Sequence, residues 1–151
     1  MKKSAGILLY KKVNKELLFL LVHPGGPFWK NKDLGSWSIP KGEFTDDEEP
    51  LNAAIREFEE ETGTKVEGEF IELKPVKLKS GKLVYAFACE HDLDVNSIKS
   101  NEFEIEWPPK SGRLKSFPEI DKAAWFTAKE ALEKINPPQG NFITELISKT
   151  E

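Results

Sequence analysis

Cysteine is almost missing from this chain: Cys89 is the single one among 151 residues. That excludes an internal disulfide, fits a reducing compartment and leaves Cys89 as core filler. Histidine is nearly as sparse, and His23 and His91 have no zinc-type spacing to each other or to Cys89. Both read as structural residues, not as imidazole ligands. Long apolar runs are lacking too. The opening MKKSAGILLYKK starts basic, as signal peptides do, but its apolar run Ala5–Tyr10 is shorter than an h-region and charge resumes at once. No other stretch approaches the ~20 apolar residues of a membrane span. The expectation is a soluble, cytoplasmic protein with no membrane partner. An excess of basic residues is also absent: 22 Lys and Arg face 26 Asp and Glu, a net charge of −4, with a pI near 5.4. This argues against a nucleic acid polymer as partner and leaves small anions. With 38% hydrophobic residues, the chain is expected to form one domain over 1–151.

The aliphatic runs AGILLYKK and LLFLLVH flank VNKE and read as a hairpin. PGGPFWKNKDLGSW collects turn formers and reads as a loop, after which SWSIPKGE is a short extended piece leading into a turn at Gly42. The spacing predicts a helix over 49–61, with Pro50 in its first turn and Asp46 and Asp47 upstream as caps. Leu51, Ala54, Ile55, Phe58 and Thr62 make its apolar stripe, and Gly63 ends it. EGEFIELKPVKL and KLVYAFACEH form a second strand pair, and KAAWFTA is a further strand. NEFEIEWPPKSGRLKSFP, rich in proline and charge, reads as a long functional loop. AKEALEKI and NFITELISK read as terminal helices. Strands with helices before and after them predict an α/β layered domain.

Acidic charge is where the composition becomes uneven. Nine of the 26 acids lie between Glu43 and Glu61 against Arg56 alone, which leaves 21 basic and 17 acidic residues elsewhere. On a helix, Glu57, Glu60 and Glu61 share an arc of about 100° and repel one another. A divalent cation would neutralise them, and oxygen-only ligands favour Mg²⁺ or Mn²⁺ over zinc. A solvated acidic face is the plain alternative.

Spacing decides between the two. Gly42, five residues, Glu48, seven residues, then Arg56-Glu57-Phe58-Glu59-Glu60-Glu61-Thr62-Gly63 resembles the signature of the Nudix hydrolases. Seven fixed positions match, and a chance match somewhere in the chain has a probability of about one in a million at ordinary residue usage. The signature's final aliphatic residue is Thr64 here. The stretches GGPFW, WSIPKGE and EWPPKSG also resemble a bacterial subgroup described as predicted nucleoside triphosphate pyrophosphohydrolases, near the diadenosine polyphosphate hydrolases.

The resemblance implies an α/β/α sandwich with a mixed central sheet and a catalytic loop-helix-loop. It implies hydrolysis of a nucleoside diphosphate-linked substrate by water attack on phosphorus, with Mg²⁺ or Mn²⁺ as cofactor. Nucleoside triphosphates and dinucleoside polyphosphates are favoured; a nucleotide-binding sensor that hydrolyses nothing is the alternative. Carried over by position, Glu60 and Glu61 are metal ligands, Glu57 is a ligand or the general base, and the Gly42 carbonyl completes the set. Arg56 orients Glu57, while Glu48 and Gly63 are structural. Members of the family often add a carboxylate from a loop near the last core strand, and Glu106 is chosen over Glu102 and Glu104 because it precedes Trp107 and two prolines. Lys41, Lys110, Arg113 and Lys115 are candidates for substrate phosphates, and Trp29, Trp37, Tyr85 and Trp107 for stacking on a base.

Overall fold

The computed structural model describes residues 2–150. Its strands are β1 (Lys3–Val13), β2 (Glu16–Pro24), β3 (Lys41–Phe44), β4 (Ile71–Lys77), β5 (Leu83–Glu90), β6 (Glu102–Glu106), β7 (Leu114–Pro118) and β8 (Ile120–Thr127). Its helices are α1 (Pro50–Thr62), α2 (Ala128–Lys134) and α3 (Gly140–Thr150).

The β1–β2 hairpin turns at Asn14 and Lys15, whose φ values of 52° and 70° are those a two-residue turn between right-twisted strands requires. β1 runs through the middle of the sheet and is buried from Ser4 to Tyr10, which is why its sequence is a near-continuous apolar run. β5 lies parallel along one edge of β1. The other edge is divided: β3 pairs antiparallel with Lys3–Gly6, and β2 with Tyr10–Val13. At the fork between them, the Ile7 amide donates to the Pro40 carbonyl at 3.2 Å. β4 extends the sheet beyond β5, and β8 beyond β2, both antiparallel.

The alternating side chains of β1 face two apolar layers. Ala5, Ile7 and Leu9 meet Ala53, Ala54 and Phe58 of α1, while Leu8 and Tyr10 share a cluster with Phe19, Leu21 and with Phe142, Ile143 and Leu146 of α3. Cys89 is buried in the first layer. Helices on both faces of a mixed sheet give the expected sandwich. Among the described residues, no helix is long and apolar enough to cross a membrane.

Three local expectations are corrected. Gly42 lies within β3, paired with Ala5, and not in a turn. Asp46 and Asp47 do not cap α1: its N-cap is Glu49, which makes no side-chain bond to the helix. Asp46 is instead ion-paired with Lys3, because the chain leaving β3 still runs beside the start of β1. Residues 101–118 form an antiparallel hairpin, β6–β7, separate from the main sheet. Glu102-Phe103-Glu104-Ile105-Glu106 alternates as a strand should, and Pro108 and Pro109 fall in the turn, where they remove no ladder bond.

Candidate active site

Arg56 sits at the centre of the acidic segment. Its Nε and Nη2 donate to the two oxygens of Glu48 at 2.8 and 2.6 Å, while Nη1 donates to Glu57 at 2.9 Å and to Glu60 at 3.3 Å. The fork on Glu48 is bidentate, the strongest geometry open to this pair. It pins the segment before α1 to the helix and holds Glu48 below the usual carboxylate range. The guanidinium, held by Glu48 first and then by Glu57 and Glu60, is pushed up and stays charged.

Glu57 faces the other way from the helix, onto β3. A Cβ at Gly42 would overlap its carboxylate, so glycine is the residue that lets the strand approach. The side chain of Glu57 is only 13% exposed. Burial pushes its pKa up, the hydrogen bond from Arg56 pulls it down, and Glu60 and Glu119 push it up again.

Glu61 is the most perturbed carboxylate. Burial and the neighbouring Glu57 push its pKa up to about 8, with Lys41 opposing and Glu119 adding to the rise. Its Oε2 is buried with no hydrogen-bond partner among the described residues. Beside it, burial pushes the Lys41 ammonium down, against the pull of Glu61, Glu43 and Glu57. Lys41, Glu61 and Glu119 line one pocket with Trp29, Trp37 and Asn136. An unpaired buried oxygen costs about 1–3 kcal/mol or more, and with Glu119 in the same wall and Glu57 acting on it from beside the pocket that oxygen suits a hard cation in chemistry. Among the described residues no three potential ligand groups already converge on one point.

The structure brings together Gly42, Arg56, Glu57, Glu60, Glu61, Glu48 and Lys41, with Gly63 closing α1. Gly63 has φ 79° and donates its N–H to the Glu59 carbonyl at 2.8 Å, the left-handed cap for which glycine is favoured. It does not bring Glu106, Lys110 or Arg113 to the pocket. The Glu106 carboxylate accepts from the Lys110 amide at 2.8 Å and the Gly112 amide at 3.2 Å. It fastens the β6–β7 turn, and Lys110 and Arg113 stand exposed on that turn. Trp37 is a core residue, stacked edge-on against Phe126 and His23, and Tyr85 packs edge-on against Phe44. Trp29 is the aromatic of the four that is both exposed and in the pocket wall.

Two candidates were not foreseen. Glu119 reaches the cluster because its amide donates to Asn101 and its carbonyl accepts from Gly25, which fixes the entry to β8; a lone acid after a proline carries no such signal. Asn136 has a buried Oδ1 with no partner among the described residues, and nothing in its sequence context marks it. The loop before the pocket is tied down by His23, whose Nδ1 lies 2.7 Å from Asp121 and whose Nε2 lies 2.6 Å from the Lys32 carbonyl.

A family model described as the NUDIX domain matches residues 1–146. Two mRNA-decapping proteins g5R, from the Warthog and Pretoriuskop isolates of African swine fever virus, are each 34% identical over 128 residues, covering 71% of this chain and 47% and 46% of their own length. The chain thus spans about half the length of these curated relatives. In fold it is similar to a Caenorhabditis elegans Ap4A hydrolase (TM-score 0.65, 20% identity, 99% of this chain and 98% of that one). It is also similar to the NUDIX domain of Shewanella oneidensis NrtR, solved with ADP ribose (TM-score 0.64, 14% identity, 99% and 88%).

Proposed function

Because this chain belongs to the Nudix hydrolase family, we propose that it is a metal-dependent pyrophosphohydrolase. It cleaves a phosphoric anhydride bond in a nucleoside diphosphate-linked substrate by water attack on phosphorus, with a nucleoside triphosphate or dinucleoside polyphosphate favoured. The observation that carries this reading is Glu61, a carboxylate with a buried, unpartnered oxygen, pushed up to about 8 beside Glu57 in a pocket that also contains Lys41.

Glu57, Glu60, Glu61 and the Gly42 carbonyl are the residues that would hold Mg²⁺ or Mn²⁺. Such an ion, when bound, screens the pyrophosphate charge and acidifies a water. Arg56 donates to Glu57 and aims its carboxylate, which accepts the proton of the attacking water in the role of general base. Glu119, coupled electrostatically to both Glu57 and Glu61, is the further carboxylate of the site and replaces Glu106 as the candidate second base. Lys41 supplies positive charge to the phosphates from the pocket wall, and Trp29 offers the nucleoside a face.

Product analysis tests this. The purified protein is incubated with Mg²⁺ or Mn²⁺ and a panel of nucleoside triphosphates, diadenosine polyphosphates and ADP-ribose, with Glu60→Gln alongside. Metal-dependent cleavage of one class, lowered at least ~100-fold in the variant, is the expected result. A folded protein that binds nucleotide and metal but cleaves nothing in the panel is a sensor, and the hydrolase reading fails.

A further inference from the structure

The β6–β7 hairpin carries two different faces. Its register pairs Phe103 with Phe117 and Ile105 with Lys115, so by strand alternation these four residues share one face, while Glu102, Glu104 and Glu106 share the other. A cation thus stands on the apolar side. That side is turned to the loop after β2: a Cβ at Gly26 would press on the Phe103 ring, and Phe28 meets Trp107 edge-on, with ring centroids 5.5 Å apart. Between loop and hairpin lies a groove of about 470 Å³ whose walls include Lys30, Trp107, Lys115, Phe117, Pro118 and the carboxylate Asp121, which is held by His23 at 2.7 Å. Lys115 lies 5.5 Å from the centre of the Phe117 ring. Neither Lys30 nor Lys115 forms an ion pair among the described residues. Aromatic walls with free ammonium groups suit a flat base attached to a phosphate.

Position links this groove to the active site. Pro118 lines the groove, Ile120 lines the pocket that contains Glu61, and Glu119 stands between them. Two residues of extended chain span roughly 7 Å, within reach of a short phosphate chain. The pocket beside Glu61 has a volume of about 260 Å³, below the range of sites that enclose a whole drug-sized ligand, so a substrate with two nucleosides has to place one elsewhere.

We propose that the groove between the hairpin and the loop after β2 binds the nucleoside on the far side of the scissile anhydride, together with its phosphate. This rests on the hydrolase reading above and narrows it to substrates with two nucleosides. The occupant is a small nucleotide and not a polymer, because the acidic face of β6 and the net charge of −4 repel an extended polyanion.

The test measures binding, so it does not depend on turnover. Wild-type protein, Trp107→Ala and the double variant Lys30→Ala/Lys115→Ala are titrated by calorimetry in Mg²⁺ with methylene-bridged, non-hydrolysable analogues of ATP and diadenosine tetraphosphate. The double variant alters flexible side chains and leaves the aromatic packing intact, so it decides the matter if Trp107→Ala does not fold. The expected result is a loss of roughly tenfold in affinity for the two-base analogue relative to ATP. Equal losses for both analogues, or no loss for either, overturn the proposal. So does stronger dependence on these residues for a 5′-triphosphorylated RNA oligonucleotide than for the two-base analogue, which makes the groove a polynucleotide track. Absence of cleavage by the wild type contradicts the hydrolase reading alone.

Discussion

The carboxylate of Glu57 fills the space in which a side chain at Gly42 would begin. This contact joins β3 to α1 at the point where both contribute to the site. It gives the glycine a chemical reason: any Cβ drives Glu57 out of the orientation set by Arg56. Gly42→Ala is expected to remain folded, because Glu57 is a movable side chain, and to lose about 100-fold in turnover, as a displacement of about 1 Å at a reacting group does. Steady-state kinetics with circular dichroism checks this; a folded variant with wild-type turnover contradicts it.

Glu61 makes stability fall with rising pH in the metal-free protein. Its folded pKa of about 8 lies above the ordinary value of 4.5, so the folded state binds more protons than the unfolded state between those values. The neutral form's contribution is complete below the lower value and is lost as pH rises through the upper one. Glu57 is shifted the same way, whereas Asp33, Asp46, Glu48 and Asp92 are held low and act only at the acid end. Thermal melts in EDTA from about pH 5 to about pH 8 should show a falling Tm, and Glu61→Gln should flatten the slope. Parallel curves for both proteins would be evidence against this.

Phe58 acts through packing alone. It is completely buried between α1 and the apolar face formed by Ala5, Ile7 and Leu9, so Phe58→Ala should cost ~3–5 kcal/mol. Urea unfolding measures it. A cost below 1 kcal/mol would mean that α1 is not anchored by this ring.

Much of this site is legible in the sequence because it is local. Gly42, Glu48, Arg56, Glu57, Glu60 and Glu61 lie on one short strand, one helix and the five-residue segment that joins them, so their spacing already encodes their placement. The α/β layering follows equally from the apolar runs of β1, β2 and β5. What escaped depends on distant pairing. Gly42 looked like a turn because its partner Ala5 lies far along the chain. Residues 101–118 looked irregular because three prolines outweighed a five-residue alternation, although two sit in the turn and Pro118 ends a strand. Glu119 enters the cluster through sheet order, and Glu106 leaves it through hydrogen bonds to its own turn.

Glu119 and Glu106 therefore separate in a direct comparison. Glu119→Gln removes a negative charge that acts electrostatically on Glu57 and Glu61 and is expected to lower kcat by ~100-fold or more, the low end for loss of a general base. Glu106→Gln keeps one acceptor oxygen, releases one of the two amides it holds in the β6–β7 turn, and should lower kcat at least tenfold less than Glu119→Gln. The reverse order would return the second carboxylate to Glu106.

The central claim is that the acidic face of α1 binds a divalent cation through Glu61. Calorimetric titration of the wild-type protein and of Glu61→Gln with Mn²⁺ tests it most directly. The account predicts measurable Mn²⁺ binding by the wild type and an affinity at least about tenfold weaker in the folded variant, the scale of losing one charged ligand. Equal Mn²⁺ affinity in both proteins, or none in either, would contradict it.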